Sequence, residues 1–251
     1  MSKTALVTGG GIRLGRAIAL HLAEQGFDIA LHYNSSKEPA QKTSEEIEKL
    51  GRKCGLFQLD FSQNQDYHQF ITTIEEQMSP LTLVVNSASL YSQTTIAETA
   101  TQVFDSTFST NFKAPFFITQ AFAAVCKKGE IINIVDNKTG FNQFVYSIYL
   151  LSKKALEEFT RMSALEYAPE VRINGISPGV VLPASVRSKK YIDWRIQGIP
   201  VGIQGNVANI LQAVDYLLKN NFVTGQTLVV DGGESLTSTG RNAAEYHESD
   251  Q

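Results

Sequence analysis

The chain has 251 residues, 43% hydrophobic and 19% charged, with a formal net charge of −3. This is enough for one large α/β domain with a substantial core, and the lack of a basic block excludes the positive stripe of a nucleic-acid binder. No apolar run reaches membrane-spanning length, the start MSKTALVTGG is too short for a signal peptide, and Cys54 and Cys126 have no paired spacing. A soluble, cytoplasmic protein with reduced, buried thiols and no metal site is expected.

Residues 4–8 (TALVT) form a short apolar run that ends in Gly9-Gly10-Gly11. Residues 12–25 follow with helical periodicity, placing Ile12, Leu14, Ile18, Ala19 and Leu22 on one side. Strand, glycine turn, helix is the context in which backbone N–H groups and a helix N-terminus can face a phosphate. The alternative is a tight turn that binds nothing. Residues 9–15 read G-G-G-I-R-L-G, which does not fit G-x-G-x-x-G. Gly9, Ile12, Arg13, Leu14 and Gly15 are the candidate phosphate-side residues.

A second strand is predicted over 28–33, ending in His32-Tyr33-Asn34-Ser35-Ser36. An NAD enzyme commonly carries Asp or Glu there to hold the ribose hydroxyls. None is present, and Arg13, His32 and the serines could accept a 2′-phosphate, so the pattern favours NADPH. A polar-faced helix is expected over 39–50, then a strand over 54–59 and Asp60-Phe61-Ser62. Asp60 suits an adenine amino group, or the cap of a helix over 65–78, or both. A fourth buried strand, 81–85, ends in Asn86-Ser87-Ala88-Ser89. This alternation predicts a doubly wound parallel sheet.

Residues 100–109 and 111–127 read as helices, the second interrupted early by Pro115. Asn111 lies among Phe108, Phe112, Phe116 and Phe117, and a buried Asn needs partners. It either bends or hydrates the helix, or holds a proton-relay water. A buried strand over 131–135 then leads to Asp136, at the carboxyl end where open parallel sheets bind ligands. Thirteen residues on, Tyr149 opens a helical pattern that continues to Tyr167 and puts Lys153 on the same face. An ammonium beside a phenol is expected to lower the phenol pKa and make Tyr149 a proton donor near neutral pH. The alternative for Asp136 is a turn cap. A sixth strand over 171–176 ends in Ser177-Pro178-Gly179.

Residues 180–206, with Pro183, Trp194 and Pro200, show no long element and are expected to form a substrate lid. A helix over 207–219 and a strand over 227–230 close the domain at Asp231-Gly232-Gly233. The polar tail 235–251 is expected to be mobile, with His247 solvated.

Thr8-Gly9…Gly15, Asp60, Asn86-Ser87-Ala88, Asn111, Tyr149…Lys153, Pro178-Gly179 and Asp231-Gly232-Gly233, in this order, resemble the short-chain dehydrogenase/reductase family over residues 3–233. The resemblance implies a single nicotinamide-binding Rossmann domain (1–234) with about seven parallel strands and helices on both faces, hydride transfer, and a dimer or tetramer. It places Lys153 at the nicotinamide ribose, supporting Tyr149. Two departures stand out: Asp136 replaces the family's usual Ser, and Arg13 replaces a turn Gly. Together with Leu31-His32-Tyr33 and Asn86–Ser89 these resemble the pteridine reductase branch, which includes dihydromonapterin reductases. That branch pairs the Asp with the Tyr, sets an Arg near the cofactor phosphates and stacks the pterin on an aromatic residue where Tyr91 stands, beside Ser89. The expected activity is NADPH-dependent reduction of a pterin, dihydromonapterin or dihydrofolate among the candidates. The alternatives are a carbonyl or 3-oxoacyl-thioester reductase of the same fold, or a non-catalytic NADPH-binding regulator.

Overall fold

The computed structural model describes residues 2–78, 80–182 and 188–237. Part of the expected lid, with Pro183, and the tail from 238, with His247, lie outside the described residues. One seven-stranded parallel sheet, ordered β3-β2-β1-β4-β5-β6-β7, carries the fold. The strands are β1 (Thr4–Val7), β2 (Asp28–Tyr33), β3 (Cys54–Gln58), β4 (Leu81–Asn86), β5 (Gly129–Ile134), β6 (Val171–Pro178) and β7 (Thr227–Val230). The helices are α1 (Arg13–Glu24), α2 (Lys37–Lys49), α3 (Tyr67–Met78), α4 (Thr101–Phe108), α5 (Ala114–Cys126), α6 (Ser147–Tyr167), α7 (Lys189–Ile196) and α8 (Val207–Lys219).

Successive strand residues point to opposite faces, so each strand feeds two cores. Ala5 and Val7 join Ile18, Leu22, Ile210 and Val214 on one face. Leu6 joins Ile71, Ile74, Ile118 and Phe122 on the other. Both faces are covered, which is why the strands read as continuous apolar runs. The strand order reverses between β1 and β4, and a ligand crevice belongs outside the carboxyl ends at that reversal.

Several expectations need correction. Residues 180–206 contain α7, whose first turn is capped by the Ser188 hydroxyl accepting from the Tyr191 amide; its sparse apolar pattern hid it. The helix expected over 111–127 begins only at Ala114, with Pro115 in its first turn, where a proline is tolerated. The break is a π turn, Ser109–Lys113, which joins α4 to α5. The tail is not free from its first residue, because Glu234–Leu236 forms a 3₁₀ turn with Glu234 wholly buried. Cys54 and Cys126 are free but only half-buried. Burial pushes their thiols up to about 11 and about 12 respectively.

His32 is the clearest correction. At the end of β2 its side chain turns inward, 2% exposed, and stacks on Phe61 with centroids 4.1 Å apart. Its Nδ1 accepts from the Gly9 amide at 3.2 Å and its Nε2 lies 2.9 Å from the Leu59 carbonyl. That pairing requires the Nε2–H tautomer, a neutral ring. Burial lowers its pKa from 6.5 to about 4. His32 therefore brings no charge to a 2′-phosphate; it ties the glycine turn to β2 and β3.

Because the folded-state value lies below the unfolded one, this stability is full above pH 6.5 and is lost as pH falls towards 4. The gap corresponds to on the order of 3 kcal/mol. Urea denaturation at pH 7 and pH 4.5 should show a smaller acid loss in His32→Gln than in the wild type. Equal losses would remove His32 as the cause.

Candidate active site

The crevice at the sheet reversal is a cleft of about 640 Å³. Its floor is the turn after β1. Thr8 Oγ1 accepts from the amides of Ser87 and Ala88 at 2.9 and 3.0 Å, which clips the end of β1 to the end of β4. Gly9 sits at φ +65°, where a Cβ would lie 3.0 Å from Ala88 Cα. A Cβ on Gly15 would lie 2.3 Å from the Gly9 carbonyl oxygen. The turn is thus closed on itself and presents backbone rather than side chains to the cleft. Arg13 holds φ +50°, a left-handed position where glycine is the default. Its Nη2 donates to the Leu182 carbonyl at 2.6 Å, bridging the turn to the loop after β6.

The catalytic face is built by α6 against β5. Asn133, near the carboxyl end of β5, donates from Nδ2 to Thr160 Oγ1 at 2.9 Å. Lys153 Nζ donates to the Ile134 carbonyl at 2.8 Å. These two buried tethers set the height of α6 on the sheet. Tyr149, in the first turn of α6, then meets Asp136 just past the end of β5, and its hydroxyl donates to Asp136 Oδ2 at 2.6 Å. Asp136 Oδ1 accepts from the Lys138 amide at 2.8 Å and caps the 3₁₀ turn Asn137–Gly140. The capping reading holds through Oδ1, while Oδ2 is left to the Tyr149 hydroxyl.

The expected lowering of the Tyr149 pKa is not what the geometry gives. Burial and the Asp136 carboxylate hold the phenol well above its ordinary value. The Lys153 ammonium is 5.9 Å from the ring centroid and is engaged with Ile134. Burial lowers Lys153 itself to about 8, against the pull of Asp136. At neutral pH the trio is a protonated phenol, hydrogen-bonded to Asp136, beside an ammonium.

Asn111 lies in the π turn and both ends of its side chain are spent. Oδ1 accepts from the Leu90 amide at 2.8 Å, while Nδ2 donates to the Leu90 carbonyl at 2.9 Å and to Ser152 Oγ at 3.0 Å. Ser152 Oγ donates in turn to the Tyr149 carbonyl at 2.6 Å. Asn111 therefore steadies the helix that carries Tyr149; its side chain makes no hydrogen bond to Lys153. The π turn that seats it also brings Thr110 to the cleft wall, a residue the sequence did not single out. Its only signal was a polar Asn in an aromatic run.

Of the other candidates, Ile12, Leu14, Tyr33, Asn34, Ser35, Ser36, Asp60, Phe61, Ser87, Ala88, Ser89, Pro178 and Gly179 all line the cleft. Asn86 does not. It is buried at the end of β4 and donates from Nδ2 to Asn133 Oδ1 at 2.8 Å. It serves the sheet, because its side chain faces the neighbouring strand rather than the crevice. Asp60 does not cap α3; that role falls to Asp66, whose Oδ1 accepts from the Gln69 amide at 2.9 Å. Asp60 instead accepts from Asn34 Nδ2 at 3.1 Å and from Ser62, whose hydroxyl and amide hold its carboxyl below the usual range.

The far end of the cleft is aromatic. Tyr91 stacks on Tyr146 at 4.7 Å between centroids and meets the Tyr149 ring edge-on at 4.6 Å. Tyr146 is buried and donates to Gln93 Oε1 at 3.1 Å, so it is a fixed backing for Tyr91. Tyr91 itself is 60% exposed. A flat ring can be held there between aromatic surfaces.

A solved structure of FolM alternative dihydrofolate reductase 1 from Brucella suis, in complex with NADP, matches this fold with a TM-score of 0.88. The identity is 28%, over 94% of this chain and 96% of that one. The 3-oxoacyl-(acyl-carrier-protein) reductase FabG of Staphylococcus epidermidis is also 28% identical, over 93% of this chain and 99% of its own. A short-chain dehydrogenase/reductase of Armillaria gallica is 31% identical, over 92% of this chain and 95% of its own. The family profile for short chain dehydrogenase matches residues 3–192. With the sheet order, the glycine turn and the Tyr149–Lys153 pair in place, the chain belongs to the short-chain dehydrogenase family of NAD(P)-dependent oxidoreductases.

Proposed function

We propose that the protein is an NADPH-dependent pterin reductase, converting a dihydropterin to the tetrahydropterin. The observation that carries this reading is the 2.6 Å hydrogen bond from the Tyr149 hydroxyl to Asp136, at the place where the family usually has a serine. A serine hydroxyl suits a carbonyl substrate, because it can donate to the oxygen that gains negative charge. A carboxylate there would repel that oxyanion. A pterin presents ring nitrogens that need a proton as the adjacent carbon is reduced, and a carboxyl–phenol pair can deliver one. The likeness to FolM supports the same choice.

The cleft fits NADPH. At Gly9 and Gly15 the turn brings backbone without a Cβ to the cleft, leaving room for a pyrophosphate to approach closely. The end of β2 carries Asn34, Ser35 and Ser36 and no acid, which accommodates a 2′-phosphate. Asp60 stands at the adenine end and Pro178-Gly179 at the nicotinamide end. When bound, NADPH supplies the hydride. Lys153 uses one of its three donors on Ile134 and leaves two for the ribose. As Tyr149 Oη gives its proton to the ring nitrogen, a proton from solvent passes through the Asp136 carboxylate to replace it on Tyr149 Oη. Two adjacent anions are thereby avoided, since a phenolate never stands against a carboxylate. Tyr91, backed by Tyr146, holds the pterin plane.

The second reading is a carbonyl or 3-oxoacyl-thioester reductase, favoured by the identity to FabG. A homo-oligomer is also proposed, supported by the aromatic ladder Phe104–Phe108–Phe112–Phe116–Phe159 and by exposed Leu151, Met162 and Leu165 beside it.

Asp136→Ser should cost about 100-fold or more in dihydropterin turnover while NADPH affinity, read by fluorescence, stays within a few-fold. Undiminished pterin turnover removes Asp136 from the proton path, and wild-type reduction of acetoacetyl thioester in preference to dihydropterin decides for the second reading. NADPH binding should weaken as pH rises through about 8, because Lys153 then loses its ammonium. Lys153→Met should bind weakly at every pH without that inflection, and an inflection that survives the change would assign it to another group.

A further inference from the structure

Glu234 is the most buried carboxylate of the described residues and has no place in the proton path. It lies in the 3₁₀ turn after β7 with no exposed surface. Oε1 accepts from Lys138 Nζ at 2.8 Å and from Arg195 Nη2 at 2.7 Å. Oε2 accepts from Asn137 Nδ2 at 2.8 Å. Asn137 also donates to Asp231 Oδ2 at 3.3 Å, and Asp231 Oδ1 accepts from the Gly233 amide at 2.8 Å. Two cations and two carboxylates thus meet in one buried knot.

The knot joins two segments that the chain keeps far apart. Asn137 and Lys138 are the first residues of the turn that Asp136 caps, and the Lys138 amide holds Asp136 Oδ1. Arg195 belongs to α7, and its Nη1 donates to the Tyr191 hydroxyl at 3.3 Å. Glu234 therefore touches both the turn that flanks Asp136 and, through Arg195, the helix α7.

We propose that Glu234 is a positioning residue that couples α7 to the aim of Asp136, so that α7 and the turn orienting the carboxyl group move as one unit. A buried ion pair is weak evidence for stability, since desolvation offsets much of the attraction. Its better-attested use is to fix one arrangement among several. Here the arrangement fixed is the turn Asn137–Gly140. The proposal rests on the pterin reading for the role of Asp136, but the coupling is a property of the fold and can be read without substrate.

The first test is hydrogen exchange in the full chain. Arg195→Gln frees α7 from Glu234 without touching the Asp136 turn. Exchange should rise at 189–196 and also at the Lys138 amide, which reports the bond to Asp136. A rise confined to 189–196 overturns the coupling. The second test is the kcat of Glu234→Gln at saturating dihydropterin and NADPH, with Glu234→Asp as the conservative variant. Loosening the turn that aims Asp136 should lower kcat about 10-fold while NADPH affinity stays unchanged, and Glu234→Asp should restore most of the rate. An undiminished kcat, or a fall matched by an equal loss of NADPH affinity, marks a merely structural role and overturns the proposal. Wild-type enzyme that turns over no dihydropterin defeats the pterin reading instead, and the exchange result then judges the coupling alone.

Discussion

Everything at the catalytic face depends on one contact, the hydrogen bond that the Tyr149 hydroxyl donates to Asp136. Two oxygens 2.6 Å apart in a buried site cannot both carry charge, so the pair must hold at least one proton. That constraint reverses the usual tuning of a tyrosine beside a lysine. The carboxylate keeps the phenol protonated and Lys153 becomes the counter-charge rather than the activator. The geometry has to be rigid, because the contact survives only if α6 and the turn after β5 keep their registration. Two buried tethers, Asn133 to Thr160 and Lys153 to Ile134, hold α6 to β5. The Lys138 amide holds the turn.

The second departure from the family pattern has a comparable consequence. A glycine turn normally gains its tight path from residues without a Cβ. Here Arg13 takes the left-handed conformation itself, with φ +50°. What it returns is a guanidinium bond to Leu182, across the mouth of the cleft. The turn that floors the cleft is thereby tied to the loop after β6. Both departures convert a residue that would only shape backbone or donate a hydroxyl into one that carries charge.

Much of this was legible in the sequence because it is local. The buried parallel strands announce themselves as apolar runs, and β2, β7 and α8 match their expected limits. Tyr149 and Lys153 share a face by helical spacing, and Asp136 follows its strand. The errors come from side chains whose direction is set by distant partners. His32 reads as a surface polar residue until Phe61 and Leu59 close over it. Asn86 reads as a cofactor ligand until Asn133, on the neighbouring strand, takes its amide. The π turn has no sequence period of its own. Glu234, Arg195 and Lys138 are spread over nearly a hundred positions, and no pattern along the chain links them.

The two kinds of relative pull in different directions, and the local chemistry is the better guide between them. Identity to FabG and to FolM is 28% in each case, so overall similarity does not separate a thioester carbonyl from a pterin ring. At that distance most matches record the shared sheet, the glycine turn and the Tyr–Lys pair, which every hydride-transferring member needs. Discrimination falls to the few groups that touch only the reacting atoms. A carboxylate beside the phenol is unfavourable for a developing oxyanion and favourable for a nitrogen that must gain a proton. An aromatic platform of Tyr91 on Tyr146 offers little to a flexible thioester chain but suits a flat heterocycle. These two features stand on different side chains, and both favour the proposed flat heterocycle over a thioester.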